Sequence, residues 1–440
     1  MCDIFPVSWN HTQVKNVIVK LFCGHSPTCE ERQIANNGEW GILKTTAITW
    51  SGWNENAHKV PPPKYWGNEN IEVKKGDVLV TKAGPRHRVG VVVHVQSTRP
   101  HLMVSGKMIG LRLQQDKVLP KLFATALSMW ESQVFLDHRS TGMAESQVNF
   151  NNDSLLSAPI VLPTIPEQHA IATILATIDT TIQQTQALIA KLKQVKAGML
   201  HDLLTRGLDN NGELRDPVRH PEQFKDSPLG RIPKEWKVRS LEELTLKIVD
   251  GVHHTPNYVA SGIPFIVITD LTSNNRITFQ NTRFISEKDH LNFIKRADPQ
   301  PGDILVTKDG TLGVARTVPF NAPNFSIFVS VAMLRPNLKE CCPDLIRLFF
   351  DSDDFSVQLR TLSAGSGLAH IHLEHFRKFQ IRRPPIDEQL NIFKITQKQD
   401  NLLKNVLDDL KKLNLLKQAL IQDLLSGKVR VPENIMEAMP

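Results

Sequence analysis

No run of about 18 apolar residues occurs in the 440-residue chain, which argues against a membrane-spanning helix. The N-terminus, MCDIFPVSWNHTQVK, has neither a basic leader region nor an apolar core, so secretion is not expected. The five cysteines (Cys2, Cys23, Cys29, Cys341, Cys342) form no CxxC pair and no zinc-site spacing. An odd set of unpaired thiols suits a reducing cytoplasm, and all five read as structural. There is no low-complexity tract and no GxxxxGK[ST] phosphate loop. The nearest glycine-rich stretch, SAGSGLAH (Ser363 to His370), lacks the strand–turn–helix setting of a dinucleotide site. An FxGxG cofactor loop and an (Asp/Asn)-Pro-Pro-aromatic step, which amino-methyltransferases need, are also missing. Pro384 and Pro385 stand between Arg383 and Ile386 and do not supply one.

What remains is an ordinary composition, 41% hydrophobic and 22% charged, with a net charge of +7 and a pI near 9.1. A basic balance favours a polyanionic partner, because neutralising phosphates releases counterions, although many cytoplasmic proteins reach this charge without one. Glu72-Val73-Lys74 followed by Asp77 superficially resembles a metal-nuclease ExK step. Its counterpart Arg296-Ala297-Asp298 does not preserve the pattern, and a solvated strand end is the plainer reading. Of sixteen histidines only His253-His254 and His370-Ile371-His372 cluster, and neither offers a third and fourth zinc ligand.

The chain repeats itself, and the repeat decides its architecture. Pro6, Trp9 and Gly24 fall on Pro233, Trp236 and Gly251 at a shift of 227. GDVLVTKAG (Gly76 to Gly84) falls on GDILVTKDG (Gly302 to Gly310) at 226, and LPTIPEQ (Leu162 to Gln168) on RPPIDEQ (Arg383 to Gln389) at 221. The last register continues without a gap: Ile171 meets Ile392, Asp179 meets Asp400, and Asp202-Leu203-Leu204 meets Asp423-Leu424-Leu425. The chain is a tandem duplication.

Each half has two textures. The first part is rich in turns and short β-branched runs. VLVTK (78–82), VGVVVHV (89–95), PFIVITDL (264–271) and ILVTK (304–308) read as strands, LEELTLKIVD (241–250) and PDLIRLFFDS (343–352) as helices. The second part has a helical period over about five heptads. In the first half it passes through Ile171, Ile174, Ile178, Ile182, Ile189, Leu192, Val195, Met199 and Leu203. In the second it passes through Ile392, Ile395, Leu402, Val406, Leu410, Leu413, Leu416, Leu420 and Leu424. Only Gly198 breaks the propensity. Such stripes call for a partner. Each helix packs either on its own domain or, as length and matched register favour, on the other helix. The expected fold is α+β: two α/β domains separated by two long antiparallel coiled-coil helices, related by a pseudo-two-fold tandem repeat. The expected divisions are 1–163 and 230–384 for the domains, 164–208 and 385–428 for the helices, 209–229 for a linker and 429–440 for a tail.

Basic residues gather in the α+β parts. Lys82, Arg86 and Arg88 in one half, and Arg276 and Lys308 in the other, can steer onto phosphates or base edges. The polar loop His253, His254 and Thr255 adds groups able to read bases. A solvated surface charge is the alternative for about half of these positions.

At this point the residues carry a resemblance. SPLGRIPKEW (Ser227 to Trp236), DGVHHTP (Asp250 to Pro256), GIPFIVITDL and GDILVTKDGTLG look like a target-recognition domain of type I restriction–modification specificity subunits. LPTIPEQHAIATIL and RPPIDEQLNIFKI resemble that family's entry into its spacer helices, HDLLTRG and QDLLSGKV their ends. The order domain, helix, domain, helix matches over the whole chain. Two departures stand out: the first half lacks the lead-in that precedes Trp236, and SAGSG is reduced to STGMA (Ser140 to Ala144).

The resemblance implies a non-catalytic, cytoplasmic subunit that directs defence against foreign DNA. Each domain would bind one half of a split double-stranded DNA target, and the helices would fix the gap. Two modification subunits would supply S-adenosylmethionine and adenine-N6 methyl transfer, and restriction subunits ATP- and magnesium-dependent cleavage. This chain itself would hold no cofactor and no metal and touch no membrane. A specificity subunit of a related combined nuclease–methyltransferase, or a protein-only coiled-coil adaptor, are the rival readings.

Overall fold

The computed structural model describes residues 5–50, 52–273, 275–280, 282–363 and 370–437. Cys2, Asn274 and positions 364–369 of the SAGSGLAH stretch lie outside them. The chain divides into two compact units, Met1–Gln186 with Asp408–Pro440, and Ala187–Leu407.

In the first unit a four-stranded antiparallel sheet runs in the order Ile18–Cys23, Met108–Leu113, Val78–Thr81, Val92–His94. The strand Val78–Thr81 is buried on both faces, which is why it reads as a continuous apolar run. Val78 and Val80 pack with Phe123 and Leu127 of the helix Pro120–Leu127. Leu79 packs oppositely, with Ile42, Leu43 and Leu102 of a three-stranded sheet. The domain is thus three layers: helices, sheet, smaller sheet.

The second unit repeats this order as Thr245–Asp250, Val331–Pro336, Ile304–Thr307, Ala315–Thr317. Ile304 and Val306 face Ile346 and Phe349, while Leu305 faces Ile266 and Ile327. Even the closing ribbon is duplicated. Asn10–Gln13 pairs antiparallel with Pro159–Leu162, and Lys237–Ser240 with Gln380–Arg383.

The long helices are Ile165–Thr205 (41 residues) and Ile386–Leu425 (40 residues). Within the first unit Ile171 and Leu175 share a core with Leu424 and Leu425. Asp179 pairs there with Lys417 at 2.7 Å, so the segments run antiparallel. Burial alone would push the Asp179 carboxyl up, but the Lys121 and Lys417 ammoniums hold it below the ordinary carboxylate range. Within the second unit Leu200, Leu203 and Leu204 share a core with Ile392. Lys196 pairs there with Asp400 at 2.6 Å. Asp179/Asp400 and Lys196/Lys417 are each related by the 221 shift, so the duplication makes the same ion pair twice.

One buried knot closes each unit. Trp9 Nε1 donates to Glu167 at 2.9 Å, and Arg430 holds the same carboxylate at 2.6 Å. In the second unit Trp236 Nε1 donates to Glu388 at 3.0 Å, Arg215 Nη1 at 2.7 Å and the Leu208 amide at 2.7 Å. Gly207 ends its helix at φ +64°, where a Cβ would stand 2.2 Å from Glu388 Oε1; Gly427, at φ +72°, would strike Pro6 Cδ at 2.2 Å. The residues beside the glutamates are duplicated in role as well. Gln168 Oε1 accepts from Leu119 N, and Gln389 Oε1 from Cys342 N, each just before a domain helix.

Three details differ from expectation. LEELTLKIVD is helical only over Leu241–Leu244, where Ser240 and Glu243 form a capping box; the β-branched remainder joins the sheet as Thr245–Asp250. PFIVITDL yields a strand at Ile263–Ile266, then a short helix at Ile268–Thr272 whose Asp270 takes the Val267 amide. Leu402 and Leu416, counted in the helical seam, are 47% and 50% exposed, and Val195 is exposed too. A straight helix drifts against a seven-residue repeat, and Leu403 takes the buried place beside Leu402. The linker is anchored as well: Phe224 is buried, as is Ile232 just beyond it.

Candidate nucleic-acid interface

The corresponding strands Val78–Thr81 and Ile304–Thr307 are each followed by a lysine with a doubly pinned backbone. Lys82 N donates to Lys107 O at 2.9 Å, and Phe150 N donates to Lys82 O at 3.1 Å. Lys308 N donates to Ser330 O at 2.9 Å, and Ile371 N donates to Lys308 O at 2.8 Å. The main chain places both side chains alike; their surroundings differ.

Lys308 is 3% exposed, and its Nζ lies 3.0 Å from Asp250 Oδ2 and 3.3 Å from His370 Nε2. Asp250 also takes the Arg296 guanidinium and, at 3.2 Å, His253 Nε2. Burial would push the Asp250 carboxyl up, but Arg296, Lys308 and His253 outweigh it and hold it below its usual range. Arg296 Nε is fixed on the Asp250 and Gly251 carbonyls, both at 3.1 Å. Asp309, next along the chain, faces His370 Nδ1. In the first domain Lys82 is half-buried, and Nζ approaches Cys23 Sγ at 3.7 Å.

The remaining sequence candidates fall into two groups. His253, His254, Thr255 and Arg276 are exposed, His254 packing edge-on against Phe293 at 5.4 Å. Arg86 and Arg88 have work within the fold. Arg86 bridges Asp137 at 2.5 Å and Glu145 at 3.0 Å, and Arg88 Nη2 caps the carbonyls of Thr45 and Ile48 at 2.7 and 3.1 Å. Thus Lys308, His253 and Asp250 are brought together, while Arg86 and Arg88 share a short 3-10 turn in the other domain. Of the helix-packing candidates, Ile178, Ile182, Leu203 and Leu424 are buried; Ile174, Leu192, Ile395, Leu410 and Leu413 are half-buried.

The nuclease-like carboxylates are committed elsewhere. Asp77 holds Arg112 at 3.0 Å, an arrangement repeated by Asp303 and Arg335 at 3.0 Å, and Glu72 takes the His101 amide at 2.8 Å. Burial, the largest influence, pushes the Asp77 carboxyl up despite Arg112. Among the described residues no group of three or more His, Cys, Asp or Glu is placed to hold a metal ion. Burial pushes the Cys341 thiol up to about 12, an inert structural cysteine. Sequence reasoning missed Asp250 and met Arg296 in the segment set against Glu72-Val73-Lys74. The 227 shift that aligns Cys23-Gly24 with Asp250-Gly251 carried the signal, but only the glycine was read from it.

Two copies of one domain, each followed by a long helix that pairs antiparallel within its own unit, define a tandem-repeat class. The family model "Type I restriction modification DNA specificity domain" matches residues 9–194 and again 233–414. The chain belongs to the type I restriction–modification specificity-subunit family. Members of this family recognise DNA sequence and are the non-catalytic part of their complexes. The chain is similar to the EcoEI specificity subunit of Escherichia coli, 34% identical over 202 residues, 46% of this chain and 34% of that subunit. That match therefore spans about a third of the relative's length. It is also similar to the putative MjaX specificity subunit of Methanocaldococcus jannaschii, 24% identical over 81% of this chain and 79% of that one. The fold resembles the S subunit of M. genitalium, with TM-score 0.52, 16% identity and 97% of each chain covered. A second structure, from work on the assembly and conformational transition of the type I R-M system, gives TM-score 0.57 at 16% identity, covering 97% and 99%. Among the described residues no helix is long and apolar enough to cross a membrane.

Proposed function

We propose that this chain reads a bipartite double-stranded DNA target, one half-site for each of the domains 1–163 and 230–384. The observation that carries the reading is duplication: the same three-layer domain twice, each matching the DNA specificity model. The exposed loop His253–Thr255 with Arg276, and the corner around Lys82, supply donors for phosphates and base edges. Arg86 and Arg88 shape the first domain's loop, and Lys308 supports the second's.

The paired helices act as the spacer between half-sites. Two modification subunits dock on them, supported by the exposed apolar side chains Val195 and Leu402 in one unit and Leu415 and Leu416 in the other. Those partners supply S-adenosylmethionine and adenine-N6 methyl transfer, restriction subunits supply ATP- and magnesium-dependent cleavage, and the complex works in the cytoplasm. The test is methylome sequencing of a host expressing the chain with its partners. A split motif methylated only when this chain is present is the expected result, and an unsplit or unchanged methylome refutes the reading.

A further inference from the structure

The two strand-end lysines have equivalent backbones and opposite electrostatic settings. The acid and the arginine that surround Lys308 are lost together in the other half. At the shift of 227 Asp250 corresponds to Cys23. Arg112 caps Glu72 O as Arg335 caps Asp298 O, which corrects the expected counterpart of Glu72 from Arg296 to Asp298. At this shift of 226 Arg296 corresponds to Asn70. In the second domain one carboxylate, with a side chain 3% exposed, is shared by Lys308 and Arg296. Asp309 adds a second carboxylate on the far side of Lys308, through His370. Lys308 is enclosed between Asp250 and His370, so the cation that reaches solvent is Arg296, whose side chain is 48% exposed. Among the described residues Arg296 Nη1 makes no hydrogen bond, while Nε and Nη2 are occupied. The guanidinium has therefore lost the fork needed for bidentate base reading and offers a charge with one free nitrogen. In the first domain no carboxylate among the described residues pairs with Lys82, whose Nζ has the Cys23 Sγ beside it at 3.7 Å.

We infer that the domains contact the DNA backbone through different residues at the same corner: Lys82 binds a phosphate in the first, Arg296 in the second, with Lys308 the buried counter-ion of Asp250, the carboxylate that holds Arg296. This rests on the DNA-reading function proposed above. It divides an apparently symmetric pair of lysines into a contact residue and a positioning residue.

The experiment uses the assembled complex with its modification subunits and a 60-base-pair duplex carrying the mapped motif, with a shuffled duplex as control. Affinity is measured as a function of salt. Each phosphate contact contributes a slope of about 0.9 in log affinity against log salt. Lys82→Gln and Arg296→Gln are each expected to lower the slope by about 0.9, so affinity falls about 3.5-fold less between 50 and 200 mM salt. Cys23→Asp gives Lys82 the partner that Lys308 has and lowers the slope equally. Adding Asn70→Arg restores it, and Cys23→Ser leaves it unchanged. A parental slope in Lys82→Gln or in Arg296→Gln overturns the inference, as does a parental slope in Cys23→Asp. Should Cys23→Asp fail to assemble, the other two variants decide. A parent complex that does not prefer the motif over the shuffled duplex refutes the underlying function instead.

Discussion

Replacing Glu388 by alanine should loosen the second unit far more than its size suggests. The carboxylate accepts hydrogen bonds from Trp236, Leu208 and Arg215, and both it and the Arg215 side chain are only 9% exposed. Alanine leaves two buried N–H donors without an acceptor and the buried Arg215 cation with only Arg206 O at 3.4 Å and Glu235 at 4.0 Å. Removing one member of a buried ion pair typically costs about 3–5 kcal/mol. Against a total stability of about 5–15 kcal/mol, a loss near 4 kcal/mol raises the unfolded fraction roughly a thousand-fold. Glutamine retains an acceptor and should cost less, about 1–3 kcal/mol. The assay is hydrogen exchange on peptides from Lys237–Ser240 and Gln380–Arg383, which resolves this unit without assuming one global transition. Protection there should fall in step with the lost free energy, while Asn10–Gln13 in the other unit stays protected. The pair Glu388→Ala with Arg215→Met supplies the control, because removing both charges should recover part of the loss. An alanine variant within 1 kcal/mol of the parent (about a fivefold change in exchange), or a double variant no better than the single, would refute the buried-pair argument.

Four further outcomes follow from the same geometry. Gly207→Ala should destabilise the second unit by more than the roughly 1–2 kcal/mol of a left-handed backbone, since its Cβ would also strike Glu388; urea unfolding reads this, and a cost under 1 kcal/mol counts against the close approach. Burial depresses the affinities of His94, His290 and His375 for protons, so the unfolded chain binds more protons just below the ordinary histidine value. Stability is full above about pH 6.5 and falls as pH drops toward the lowered folded values, read as a lower Tm at pH 5.5 than at 7.5; a Tm independent of pH there excludes these groups as contributors. Exchanging residues 230–384 for a relative's domain should change one half-site in the methylome and leave the other, and a change in both defeats modular reading. Inserting four residues near Gln183, about 6 Å of helix, should keep both half-sequences and lengthen the methylated spacer by one or two base pairs; an unchanged spacer in an active complex rules out the helices as its determinant.

Period and repetition made the skeleton legible. Ile171, Ile178 and Leu203 announced helices, GDVLVTK and GDILVTK the central strands, and the shifts between them a duplicated plan. What escaped was chemistry that depends on distance. Glu167 and Glu388 were visible only as matching letters, because nothing local tells that a tryptophan more than 150 residues away donates to each. Leu402 and Leu403 both fit an apolar stripe, and helix drift, rather than composition, decides which one faces solvent. At the strand-end corner Lys82 and Lys308 are equivalent letters in the repeat, and their difference lies in what packs beside them, Asp250 in one unit and Cys23 in the other.

The two knots also impose an order on how the chain becomes a protein. The second unit is one uninterrupted stretch, Ala187–Leu407, and can close as soon as it has been made. The first cannot: Ile171 and Leu175 wait for Leu424 and Leu425, and Glu167 waits for Arg430. At about 5–20 residues per second, the intervening synthesis takes roughly 10–50 s. Throughout that interval the first domain stands complete except for one apolar helical stripe, open to whatever apolar surface arrives first. Closing the unit then also requires joining ends across a long loop, an entropic cost that grows only slowly with its length. Premature association of nascent chains through that stripe is the hazard this topology carries, and it ends when the tail with Arg430 reaches Trp9 and Glu167.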